Sequence, residues 1–161
     1  NPGHLAIKEL EDMFNNFLLI TQNVDGLHGR TGIKSMIEIH GNLWRVRCTR
    51  DGKTSMLMDV PLKAIPPRCE CGSILRPDVV WFGESIPSVA LQTSFNILEQ
   101  CDTLIVVGTS LAVYPAAGLL QWFSGPNLIL INKGETPMDR RATLVRRAPI
   151  GQGLGALIDH L

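Results

Sequence analysis

The chain lacks any apolar run approaching the roughly 20 residues that a membrane-spanning helix needs, so no such span organises it. It also lacks an excess of either charge. Its 15 Lys and Arg balance 15 Asp and Glu, which argues against a nucleic-acid groove or an anionic membrane as the main partner. The one basic cluster, Arg140, Arg141, Arg146 and Arg147, reads as a solvated face. Cysteine is scarce and uneven: Cys48, Cys69, Cys71 and Cys101 do not make the framework of a secreted disulfide protein, so a reducing cytoplasm is the expected compartment. No signal peptide, internal repeat or low-complexity tract is visible. The first residue is Asn1 rather than Met, already within a helical pattern, and the chain is expected to be part of something longer.

What is present is a globular composition, 45% hydrophobic and 19% charged over 161 residues, enough for one domain with a small insert. Apolar spacing predicts a helix over Leu5–Phe17, then a buried strand over 17–21. That strand runs into Thr21–His28, TQNVDGLH, and a short strand over Met36–Ile39 ends at His40-Gly41. Residues 22–35 read as a loop with one helical turn. Two further apolar strands, 103–107 and 127–131, end at Gly108-Thr109-Ser110 and at Asn132. Helices are predicted over Val89–Cys101, Ala116–Phe123 and Leu154–Leu161, and a strand over Val79–Phe82. Strands alternating with helices imply an α/β domain with a doubly wound parallel sheet of Rossmann type. Ligands in such sheets gather beyond the carboxyl ends of the strands. Between residues 42 and 78, short β-leaning pieces (Leu43–Cys48, Thr54–Met58) meet turns at Asp51-Gly52, Pro66-Pro67 and Cys71-Gly72, so this part reads as a small ribbon-like insert, with 1–41 and 79–161 as the main domain.

Each polar residue at these strand ends has an ordinary reading. Gln22, Asn23 and Asp25 could be turn formers, His40 a satisfied strand-end histidine, and Gly108-Thr109-Ser110 a turn with a hydroxyl helix start. TQNVD nevertheless holds more hydrogen-bonding side chains than one turn needs. Cys101, at the start of a strand, reads as a small buried hydrophobe.

Five blocks, TQNVDGLH (21–28), HG (40–41), LRPDVVWFGE (75–84), VVGTSLAVYPAA (106–117) and LINKGETP (130–137), resemble those of the sirtuins, a family of NAD-dependent protein lysine deacylases. They stand in family order and cover most of the chain. The resemblance implies removal of acetyl or other acyl groups from lysine in proteins or peptides, giving nicotinamide, O-acyl-ADP-ribose and the free lysine. It makes His40 the general base, a role that suits an imidazole, the side chain most often used to take a proton in catalysis. It also places Asn23 and Asp25 at the reacting centre. Gln22 would bond the nicotinamide ribose, Val24 would add backbone contacts, Asp25 would orient the carboxamide, and His28 would be a supporting neighbour. Gly108, Thr109 and Ser110 would meet phosphate and ribose oxygens, Asn132 with Lys133 and Gly134 the adenine ribose, and the chain around Ile150 would close over the adenine. Val79–Glu84 and Ala112–Tyr114 would receive the substrate peptide as an added strand. Val80, Phe82, Gly83 and Val113 would be the substrate contacts, with Val79 as plain core.

Two departures stand out. Sirtuins open with a Gly-rich strand-to-helix turn that holds the pyrophosphate, and the first βα unit is not seen here. This chain by itself is therefore expected to bind NAD weakly and to self-associate along an exposed sheet edge. Sirtuins also carry two C-x-x-C pairs holding a structural zinc. Here Asp51 replaces the partner of Cys48, and the second pair is the C-x-C of Cys69 and Cys71. The insert is either a zinc holder with Asp51 as an oxygen ligand or a metal-free remnant. Rival functions are mono-ADP-ribosyl transfer and a non-catalytic NAD-site remnant that binds peptides. The insert and the VVWFGE block lean toward a bacterial branch.

Overall fold

Asn1 and Pro2 start the first helix of the protein, whose structure is a computed structural model describing residues 1–111 and 116–161. The Asn1 side chain accepts from the His4 N–H at 3.3 Å, and Pro2 sits in the first turn where its missing N–H costs nothing. This helix, α1, spans Pro2–Met13 and buries Ala6, Ile7 and Leu10. It stops short of the predicted Phe17, with Phe14 extended ahead of Asn15-Asn16, residues that favour local backbone bonding over helix continuation.

Strand β1 (Leu19–Thr21) pairs in parallel with β2 (Met36–Glu38), and the single helical turn expected between them is α2 (Leu27–Arg30). A second parallel sheet consists of β6 (Thr103–Val107), β7 (Asn127–Ile131) and β8 (Leu144–Arg146), in that order. Both sheets lie between the same two apolar layers. Ile20, Ile37, Leu104, Val106, Leu128 and Leu130 face one layer, with Leu98 and Phe95 of helix α3 (Ser88–Gln100) and Leu119 and Phe123 of the 3-10 segment Ala116–Trp122 and its end. Leu19, Met36, Ile105, Val107, Ile129 and Ile131 face the other, with α1 and Leu154 and Leu157 of helix α4 (Ile150–Ile158). The period-2 alternation of these strands thus reaches opposite faces, and the doubly wound α/β architecture follows.

The third sheet is antiparallel, in the order β4 (Thr54–Met56), β3 (Gly41–Cys48), β5 (Leu75–Val79). Several expectations need correction here. The strand predicted over Val79–Phe82 lies earlier, because beyond Val79 the chain turns: Glu84 N–H reaches the Trp81 carbonyl at 2.9 Å and Gly83 takes φ +88°. β8, only three residues long, is too short to show in the sequence pattern. The terminal helix starts four residues earlier than predicted. Glycine is a poor helix former, but a Cβ on Gly153 would stand 2.3 Å from the Ile131 side chain, so glycine there admits the sheet. Finally, the basic cluster is not wholly solvated. Arg141 donates to the Leu120 carbonyl at 3.1 Å and to the Phe123 carbonyl, and Arg147 pairs with Asp139.

Candidate functional site

The carboxyl ends of the parallel strands carry the residues singled out from the sequence. Gln22 follows the last residue of β1, Gly108 that of β6, and Asn132 that of β7. Gly108 turns at φ +63°, its N–H donating to the Ile131 carbonyl at 3.0 Å. A Cβ there would stand 2.3 Å from Ile150 Cδ1, so Gly108 and the first turn of α4 are in close approach. Thr109 accepts from the Leu111 N–H at 3.1 Å, and Ser110 is exposed beside it. The Asn132 side chain donates to the Gly134 carbonyl at 3.2 Å, while Lys133 and Gly134 are exposed. These residues line one rim, with backbone exposed where a ligand could approach, which suits the phosphates and ribose of a dinucleotide.

The base is built from two segments. His40 is half-buried, and its Nδ1 lies 3.2 Å from the carbonyl oxygen of Gln22. A carbonyl only accepts, so this contact requires the proton on Nδ1 and leaves the Nε2 lone pair of the neutral ring available. The hydrogen bond therefore orients the base and joins it to the end of β1. The His40 carbonyl in turn accepts from Val80 N–H at 2.9 Å. Asn23 is exposed, and its N–H is held by Thr21 Oγ1 at 3.1 Å. Asp25 is a turn former in part, since one carboxylate oxygen accepts the Leu27 N–H at 2.9 Å. Val24 accepts from Leu43 N–H at 2.8 Å. His28 is buried against His4, with ring centroids 4.5 Å apart, and burial followed by the His4 charge holds its pKa below the ordinary value.

The expected substrate segment is only partly enclosed. Val80 is half-buried beside His40, Phe82 is fully exposed, and Gly83 lies in the turn. Val113, with Ala112 and Tyr114, lies outside the described residues.

Several supporting residues were not legible as such. Trp44 donates from Nε1 to the Asp25 carbonyl at 2.8 Å, lies against Gly26, and carries the Arg30 guanidinium over its ring at 5.1 Å. Glu38 accepts from Asn42 at 2.6 Å and from Arg45 at 3.3 Å. Asp78 is buried and paired with Arg45 and Arg47. Burial alone would raise its carboxyl, but the two guanidinium groups outweigh that and hold it below the usual carboxylate range. A lone Trp after HGNL and an Asp after Arg-Pro carry no periodic signal, and only their partners reveal the role.

At the far end of β3, the Sγ atoms of Cys48, Cys69 and Cys71 and a carboxylate oxygen of Asp51 all lie within 4.8 Å of one another. Cys48 Sγ and Cys71 Sγ are 3.5 Å apart and all the cysteines are free thiols. The Ser73 backbone N–H, then its hydroxyl, hold the Cys71 thiol down, to about 7. Three soft thiolates and one carboxylate in this compass fit Zn2+ in tetrahedral coordination.

A family description reading "Sir2 family" matches residues 1–115. The NAD-dependent protein deacylase of Aquifex aeolicus is 46% identical across the whole chain, which spans 69% of that relative. NAD-dependent protein deacylase 1 of Caldanaerobacter subterraneus is 48% identical over 89% of the chain, which spans 61% of it. Among solved structures, a Sir2 homologue complexed with ADP-ribose superposes with a TM-score of 0.91 at 40% identity, covering 99% of this chain and 66% of that one. A Sir2 complex with a p53 peptide and NAD+ gives 0.88 at 36% identity, covering 99% and 69%. Sequence and structure agree over nearly every residue present: the chain belongs to the Sir2 family.

Proposed function

We propose that this chain is the larger part of an NAD-dependent protein lysine deacylase, with His40 as general base. The observation carrying the reading is the 3.2 Å contact from His40 Nδ1 to the Gln22 carbonyl, which leaves Nε2 to accept a proton at the rim where Gln22, Asn23 and Asp25 stand. NAD, once bound, supplies the nicotinamide leaving group and the ribose that receives the acyl group. Gly108 lets the backbone come close to its phosphates and Thr109 and Ser110 offer hydroxyl donors to them, while Asn132, Lys133, Gly134 and the start of α4 at Ile150 flank the adenosine end. Asp25 keeps one carboxylate oxygen beyond its own turn for the carboxamide, and Asn23, exposed beside it, faces the reacting carbon. A peptide adding along Val80–Gly83 would bring the acyl-lysine toward His40. The relatives named as deacylases at 46% and 48% identity support this reading, as does the peptide complex among the structural neighbours.

Zinc at Cys48, Cys69, Cys71 and Asp51 is structural in this reading, since it lies at the opposite end of β3 from His40. Free thiols in such a cluster suit a reducing cytoplasm, and no helix of the described residues is long and apolar enough to cross a membrane.

The test is His40→Ala in the full-length protein, assayed for acetyl-peptide turnover with NAD. Removing a positioned base should lower turnover by about 100-fold or more, with a circular dichroism spectrum like that of the parent. Parent-like turnover would overturn the assignment.

A further inference from the structure

Two tight turns build the cysteine cluster, and they do not hold their donors equally. In the first, the Arg50 N–H donates to Cys48 Sγ at 3.5 Å, and Cys48 is 2% exposed at the end of an eight-residue strand. Cys48 N–H reaches the Lys53 carbonyl at 2.9 Å and Gly52 N–H the Cys48 carbonyl at 3.1 Å, closing the turn around it. In the second, Cys69 N–H bonds the Ser73 carbonyl and Gly72 N–H the Cys69 carbonyl, each at 2.8 Å, with Arg68 bonding the Gly72 carbonyl. The thiols are thus carried on hydrogen-bonded backbone. Asp51 is different. Exposure it shares with Cys71, but one of its carboxylate oxygens is already engaged by the Lys53 N–H at 3.0 Å, and the Lys53 ammonium lies 4.0 Å from the other. To bind a metal it must share its charge with these donors, and it offers a hard oxygen where the other ligands are soft sulfur.

We propose that Asp51 is the fourth ligand of a Cys3Asp zinc site and its exchangeable arm: three thiolates hold the ion while the carboxylate opens to water and to competing ligands. Such a site takes up and releases Zn2+ faster than four thiolates on the same two turns would. Its occupancy sets how firmly β3 and β5 are tied at the Cys48–Leu75 end of their ladder, remote from the Gly41–Val79 end that carries His40. This rests on the reading of the cluster as a zinc site, and the experiment separates the two.

The full-length protein, its Asp51→Ala and Asp51→Cys variants are each loaded with Zn2+ and with Co2+ as a spectroscopic probe. The parent should hold about one metal per chain, with tetrahedral cobalt bands and thiolate-to-cobalt charge transfer. Even outer-shell partners are worth about ten- to a hundredfold in affinity, so Asp51→Ala should bind at least about tenfold more weakly and release zinc faster to a chromogenic chelator. Its charge-transfer band should persist, because the thiolates remain. Asp51→Cys should intensify that band and slow release below the parent's. A parent that takes up no metal would overturn the zinc reading itself. A metal-loaded parent with Asp51→Ala and Asp51→Cys at its affinity and release rate would overturn the role of Asp51 alone. Asp51 is on the surface, so circular dichroism is expected to find all three proteins folded, and the release rate of Asp51→Cys tests the proposal even where Asp51→Ala is destabilised.

Discussion

Gly41→Ala places the first strain on the joint between the base and the antiparallel sheet. Gly41 has φ +81°, and a Cβ there would stand 2.0 Å from the Asp78 carbonyl oxygen and 3.0 Å from Val79 Cα. The left-handed conformation alone costs an L residue about 1–2 kcal/mol. The clash is with backbone rather than a flexible side-chain tip, so β3 and β5 must part where Gly41 faces Val79. Parting them lengthens the Val80-to-His40 hydrogen bond, now 2.9 Å, and its neighbour in the ladder, each worth roughly 0.5–1.5 kcal/mol net. The expected loss is about 2–5 kcal/mol, or roughly 5–15 °C in Tm for a protein of this size. Turnover should fall further than unfolding explains, because the displaced residue is His40. Calorimetry and acetyl-peptide turnover at a temperature where both proteins are folded provide the readings. Gly32→Ala is the control: Gly32 has φ +85° and the atom nearest to the added carbon is Lys8 Cε at 3.9 Å, an ordinary contact, so only the conformational cost of about 1–2 kcal/mol applies. A Gly41→Ala protein that melts within about 2 °C of the parent with full turnover would refute the close approach as a determinant of the site.

Two further predictions concern the supports of the rim. Trp44→Phe keeps the ring against Gly26 but removes the N–H donated to the Asp25 carbonyl, a bond worth about 0.5–1.5 kcal/mol, and should lower kcat/KM for NAD several-fold with a small loss of Tm; steady-state kinetics with NAD varied will check it. Asp78→Asn removes the carboxylate that Arg45 and Arg47 share and leaves Arg45 with Glu38 alone. It should cost about 1–3 kcal/mol at neutral pH, below the range for fully buried pairs because both arginines are partly exposed. Because the folded Asp78 carboxyl is held low, its contribution is complete above the ordinary Asp pKa of about 3.9 and disappears as pH falls through the lower folded value. Melting curves across acid pH should therefore converge for parent and variant at the acid end; a constant offset would contradict the linkage.

What the linear chain determined is its periodic and punctuated part. Apolar runs at 103–107 and 127–131 could only be buried strands, and the polar residues directly after them had to fall at the carboxyl rim, because a strand's end is set by where its apolar alternation stops. Gly108 and Asn132 were legible for that reason, and so was the family, whose blocks are contiguous in sequence. Tertiary structure decided what depends on partners distant along the chain. That His40 presents Nε2 follows from a carbonyl 18 residues away, and that Trp44 braces the 24–26 turn from a hydrogen bond spanning 19. Asp78 reads as one acid among 15 until Arg45 and Arg47 close on it across the β3–β5 ladder. The irregular spacing of Cys48, Asp51, Cys69 and Cys71 left a shared site and a metal-free remnant both open, and two facing turns bring their donors within 4.8 Å. Spacing along a chain constrains neighbours only within one element; between elements, the packing of the strands that carry the turns sets the distance.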